Sequence, residues 1–197
     1  MTALYLYPLW LRLWHWLNAL IFVTLLVTGV SMHFTLNWLI PFDVAVPIHN
    51  TAGVLLTGSW LLFVIGNLWG GNGKHYLMNL RTLPKDLIAQ TRYYLHGIFV
   101  GAPHPFHVSA EHKLNALQTL SYVGVMYGLM PVLILSGWAF LFSTSLPETL
   151  FGIGTVWIIA IVHLVVAWML ALFLIVHSYI ITTGETPTTN LKAMVTG

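Results

Sequence analysis

The side chains with the most chemistry in them lie in the last apolar stretch. His163 and His177 are fourteen residues apart in a run, 150–181, that holds no charged residue. At about 100° per residue, fourteen steps close nearly four turns, so both imidazoles leave one face of a helix. At about 1.5 Å per residue they stand roughly 21 Å apart along its axis, inside an apolar layer about 30 Å thick. Histidine is costly in lipid and ligates metals readily. Two on one stripe would serve two centres at different depths, each needing a second ligand from another helix.

The helices that must supply those ligands can be read from composition. Of 197 residues, 58% are hydrophobic and only 6% are charged, against about 25% charged in a soluble domain. The expected fold is all-α: one integral membrane domain, 1–197, built as a four-helix bundle. Four apolar runs without a charge, 13–32, 48–69, 116–142 and 150–181, have spanning length. The first is read as a retained helix, because no small-residue cleavage site follows Met32. The long loop between the second and third spans contains Leu83-Pro84-Lys85-Asp86, a helix-start pattern that predicts an amphipathic helix over 85–96. Pro131 should kink the third span.

Charge orients the bundle. All seven basic residues, Arg12, Lys74, Arg81, Lys85, Arg92, Lys113 and Lys192, fall in the N-terminal segment, the long loop or the tail. The two short loops carry only Asp43 and Glu148. The positive-inside rule therefore places the long loop and both termini in the cytoplasm. The chain has no cysteine, which excludes disulfides, thiolate-held iron–sulfur clusters and covalent c-type haem. Its five carboxylates all lie outside the spans, so no acid–base catalytic constellation is present. No repeat of 20–50 residues appears, and the two halves do not resemble each other as in an inverted-repeat transporter.

Matching heights then pairs the histidines. His15 begins the first span on the cytoplasmic side, level with His177 at the end of the fourth. His49 begins the second span on the outer side, level with His163. Each pair could offer an imidazole to both faces of one iron, as a low-spin b haem requires, and two such haems stacked across the bilayer would form an electron wire. Zinc fits poorly, because its sites want four close ligands. Gly29, Gly53, Gly124, Gly128 and Gly137 would admit a flat macrocycle or a neighbouring backbone. Arg12, one turn before His15, could meet a haem propionate or simply anchor the helix. His33 could meet a propionate of the outer haem. His75, His96, His104, His107 and His112 lie outside this framework, and His104-Pro105-Phe106-His107 is the one segment among them with a metal-site or proton-handling pattern.

Several motifs carry a family resemblance: Arg12-Leu13-Trp14-His15-Trp16 with Thr28-Gly29, His49-x-x-x-Gly53, Lys113-Leu114-Asn115-Ala116-Leu117-Gln118 with Tyr122, Ser136-Gly137, the His163–His177 spacing, and the tail from Thr183-Gly184-Glu185 to Gly197. The chain resembles the four-helix di-haem cytochromes b of the bacterial b561/Ni,Fe-hydrogenase superfamily. Within that superfamily it is most similar to the cytochrome b subunits of thiosulfate reductase and formate dehydrogenase complexes. The resemblance implies a subunit of the bacterial cytoplasmic membrane, itself non-catalytic, with two b haems on His15/His177 and His49/His163. It would move electrons between menaquinone or ubiquinone on the cytoplasmic side and an outer-side redox partner. That partner would be a multihaem cytochrome or an iron–sulfur subunit joined to a catalytic subunit. The family places quinone beside the inner haem, near the positions of His177, Asn115 and Gln118. Asn115 and Gln118 could instead cap the third span. Two other readings are a stand-alone oxidoreductase exchanging electrons between quinone and superoxide or oxygen, and a haem-free membrane anchor or transporter.

Overall fold

The structure, a computed structural model, describes residues 5–106, 109, 113–184 and 186–197. In chain order the helices are α1 (Leu9–His33), α2 (Phe42–Trp69), α3 (Leu83–Leu95), α4 (Ala116–Val123), α5 (Met130–Leu141), α6 (Thr155–Ile180) and α7 (Thr189–Thr196). A π-helical segment, Gly124–Leu129, joins α4 to α5 and makes them one span. Four helices are long and apolar enough to cross a membrane: α1, α2, the Ala116–Leu141 unit and α6. The expected all-α membrane bundle is what forms, and the amphipathic helix of the long connection is α3.

The bundle buries the small and polar residues of its spans and turns large apolar ones outward. Thr28 and Ser31 of α1, Ser59 and Asn67 of α2, and Ser136 of α5 are buried, while Leu20, Leu62, Leu135, Leu172 and Ile175 face out. Lipid tails are as apolar as leucine, so close packing and interhelical hydrogen bonds hold such helices together. Trp14 Nε1 donates to the Ser59 carbonyl (2.8 Å), Trp138 Nε1 to Thr57 Oγ1 (3.1 Å), and Asn67 Nδ2 to the Tyr127 hydroxyl (2.9 Å). Phe63, almost fully buried, stacks on Trp14 at 4.5 Å. α1 lies along α2, α2 meets α5, and α5 lies along α6. Among the described residues α6 does not pack closely on either α1 or α2.

The π-helical segment has a local cause. Met130 N–H bonds back to the Val125 carbonyl, five residues earlier. The next bond in that pattern would come from Pro131, which has no N–H. The Met126 carbonyl left over is taken by Trp60 Nε1 from α2, at 2.7 Å. The kink expected at Pro131 is thus a change of helical pitch before it.

Three span starts differ from those read in the sequence: α1 starts at Leu9 and not at 13. α2 starts at Phe42 and not at 48, with Pro47 inside it. Pro41 precedes its first turn, which carries Asp43 at the positive end of the helix dipole. α6 starts at Thr155 and not at 150, because two short antiparallel strands, β1 (Thr149–Leu150) and β2 (Ile153–Gly154), precede it. Their turn places Phe151 and Gly152 at φ 55° and 79°, the two positive values of a primed hairpin turn. Thr155 N–H then donates to the Glu148 carbonyl at 3.0 Å, tying the hairpin to the start of the helix.

The segments that carry the basic residues meet at one end of the bundle. Arg12 Nη1 donates to the Val195 carbonyl (2.6 Å) and Trp16 Nε1 to the Met194 carbonyl (3.1 Å), so α7 lies over the start of α1. Lys113 Nζ donates to the Leu6 carbonyl. Partial burial and the nearby Lys74 charge hold the Lys113 ammonium below the ordinary lysine range. The β1–β2 hairpin and the α1–α2 turn form the opposite end.

Candidate functional site

α6 carries one histidine of each of two pairs. The His15 and His177 rings stand 6.2 Å apart between centroids, and the His49 and His163 rings 6.4 Å. With metal–nitrogen bonds of about 2.0 Å and ring nitrogens about 1.1 Å from the ring centre, two imidazoles on opposite sides of one metal put their centroids about 6.2 Å apart. All four rings are half-buried. Both pairs join α6 to α1 and α2, the helices on which it does not pack closely. A Cβ on Gly53, one turn after His49, would meet nothing within 4 Å.

At the hairpin end, both imidazoles are hydrogen-bonded through Nδ1. His49 Nδ1 lies 2.8 Å from Thr28 Oγ1, and that hydroxyl lies 2.7 Å from the Thr24 carbonyl of its own helix. His163 Nδ1 lies 2.9 Å from Ser136 Oγ, which lies 2.9 Å from the Leu133 carbonyl. The residue after each hydroxyl is a glycine under the ring. A Cβ would stand 3.4 Å from His49 Cε1 at Gly29 and 3.6 Å from His163 Cε1 at Gly137. Thr28-Gly29 and Ser136-Gly137 are recognisable as motifs in the sequence, but the role of their hydroxyls is visible only in the structure.

The pair at the basic end is held differently. His15 Nδ1 is buried and has no hydrogen-bond partner among the described residues. His177 Nδ1 stands 3.5 Å from the Tyr122 hydroxyl, and its ring stacks on Phe173 at 5.6 Å. Asn115 and Gln118 form a reciprocal capping box at the start of α4: Gln118 N–H donates to Asn115 Oδ1 (2.9 Å), and Asn115 N–H donates to Gln118 Oε1 (3.0 Å). Asn115 Nδ2 also donates to the Tyr94 hydroxyl of α3 at 3.1 Å. Burial pushes the Tyr94 phenol up, so it stays neutral there. The box does not use Gln118 Nε2.

The remaining candidates are not ring partners of these pairs. Arg12 gives Nη1 to Val195, and its Nε is buried without a partner among the described residues. His33 ends α1, exposed, with its ring edge-on to Phe34 at 4.7 Å. His75 lies in a 3-10 turn, Asn72–Tyr76, and exposed His96 follows α3. His104 packs on Tyr93 at 4.5 Å and accepts the Phe106 N–H through Nδ1. His107 and His112 lie outside the described residues. No group of three histidines or carboxylates able to hold a metal ion exists among the described residues.

A family model described as "Prokaryotic cytochrome b561" matches residues 6–197. The chain belongs to the prokaryotic cytochrome b561 family. It is 40% identical to the "Putative cytochrome YdhU" of Escherichia coli (strain K12) over 194 residues, 98% of this chain and 74% of that relative. No solved structure matches it. This b561 cytochrome is therefore a multi-pass membrane cytochrome b with an electron-transfer role, and the family implies b haem.

Proposed function

We propose that this cytochrome holds two b haems, an inner one between His15 and His177 and an outer one between His49 and His163. The observation that carries the reading is the pair of imidazole couples at 6.2 and 6.4 Å, both built on α6 at two depths. Haem iron supplies one-electron redox chemistry when bound. The histidines fix its position, and the apolar spans around them keep water away. The Arg12 guanidinium, close to His15 on α1, would meet an inner propionate through its unpartnered Nε.

The basic end faces the cytoplasm of a bacterial inner membrane, with both termini on that side. Quinone, menaquinone or ubiquinone, exchanges electrons near that end, beside His177, Asn115 and Gln118. Gln118 Nε2 and a ligand's free ring N–H are donors suited to a quinone carbonyl. Electrons pass to or from a redox subunit on the hairpin side, a multihaem cytochrome or iron–sulfur protein coupled to a catalytic chain. This chain is a non-catalytic conduit.

The test is a reduced-minus-oxidised visible spectrum with a pyridine haemochrome assay on the purified chain. About two b haems per chain, both low-spin, is the expected result. One haem, or none, overturns the reading.

A further inference from the structure

We propose that Thr28 and Ser136 are positioning residues that fix the tautomer of the outer histidines and lower the reduction potential of the outer centre. The inference rests on the outer bis-histidine reading above and gives two residues on other helices a role in it.

A hydroxyl has one proton to donate. The proton of Thr28 goes to the Thr24 carbonyl at 2.7 Å, and that of Ser136 to the Leu133 carbonyl at 2.9 Å. Towards the rings both oxygens can only accept. With the hydroxyl protons so placed, the nitrogens facing them, His49 Nδ1 at 2.8 Å and His163 Nδ1 at 2.9 Å, carry the ring protons, and the Leu25 and Leu133 carbonyls accept beside the hydroxyls. Nε2 of each ring is left with its lone pair, which is the atom a metal needs. Each ring also lies within contact distance of the glycine that follows its hydroxyl residue, Gly29 or Gly137.

The two couples thus differ in their surroundings. Both outer rings donate to a hydroxyl that is locked to its own helix. Of the inner rings, one has no Nδ1 partner among the described residues and the other stands 3.5 Å from a phenol. A ligating imidazole whose N–H is accepted by a neighbour is a more basic ligand. Greater basicity favours the oxidised iron, so the two hydroxyls draw the outer potential down. Removing them should raise it and leave the inner centre unmoved.

The experiment is a potentiometric titration, with low-temperature electron paramagnetic resonance, of the membrane-extracted full chain carrying Thr28→Val and Ser136→Ala together. The expected result is an outer centre shifted towards the reduced form by about tenfold at a given ambient potential, a rise of ~59 mV for one electron. Its low-spin signal should move or broaden as the rings lose their fixed direction. Thr28→Ser and Ser136→Thr keep a hydroxyl and should keep the unaltered potential. If the double variant loses the outer haem, the single variants are titrated, each expected to move the outer potential in the same direction by less. An outer centre that is loaded in the variants but unmoved in both potential and spectrum overturns the inference. Equal disturbance by the valine and serine variants at position 28 also overturns it, because the packing of α1 would then be the cause. Two haems in the unaltered chain with an unmoved potential sink this inference alone; one haem sinks the outer-centre reading itself.

Discussion

Removing the imidazole of His163 is expected to empty the outer site and spare the inner one, so haem per chain should fall from about two to about one in a pyridine haemochrome assay. Retention of both haems in His163→Ala would dissociate that residue from the site. The structure sets His163 beside His49 and His177 beside His15, the neighbours that depth along a straight helix leads one to expect. Depth is legible because a helix rises by a constant amount per residue. The hydroxyl partners were not legible. Thr24, Thr51 and Thr57 also donate to the carbonyl four residues back, so nothing in the sequence marks Thr28 as the one that also faces a ring. Only the third dimension separates them.

At the scale of the element, the capping box and the π-helical segment each make a claim. Asn115→Ala removes the cap of α4 and the bond to Tyr94, and should cost about 1 kcal/mol or somewhat more. A lowered midpoint of thermal unfolding in detergent would show that loss. A fall in the rate of haem reduction by quinol, measured well below that midpoint, would be the separate sign of a quinone contact. Trp60→Phe strands the Met126 carbonyl inside the bundle, a loss of about 1–3 kcal/mol that the same melting experiment reads. Four spans could be counted from their apolar runs, yet their limits could not. Leu150, Phe151 and Ile153 look like the start of a span, and only the turn at Gly152 turns them into a hairpin. Pro131 announced a disturbance in the third span, but not that it would take the form of a π-helical segment before the proline.

At the scale of the whole molecule, the absence of native cysteine makes the orientation measurable. A single cysteine in place of Asp43, at the hairpin end, should react with a membrane-impermeant maleimide in intact cells. One in place of Lys85 should react only after the membrane is opened. The reverse pattern would invert the bundle and move the quinone site to the other face. A chain shortened to end at residue 154 lacks His163 and His177 and is expected to bind no haem, whereas His163→Ala should keep one. Pigment in the shortened chain would mean that α1 and α2 supply a complete ligand set alone.

The arrangement of α6 bears on how the protein is made. This helix leans on α5 along one side; on the other, His163 and His177 face His49 and His15, and Trp168 meets Phe34 edge-on. Of the four spans it is also the last to emerge from the ribosome. On the proposed ligand pairing, neither site has both imidazoles until that segment has entered the bilayer, so haem would be added late, to a bundle already inserted. Iron would then serve as the clasp of a hinged door, and a cell short of haem would accumulate an ajar form. That form should be cut more readily by quality-control proteases than the loaded protein, and a pulse-chase in haem-limited cells would show the shorter lifetime.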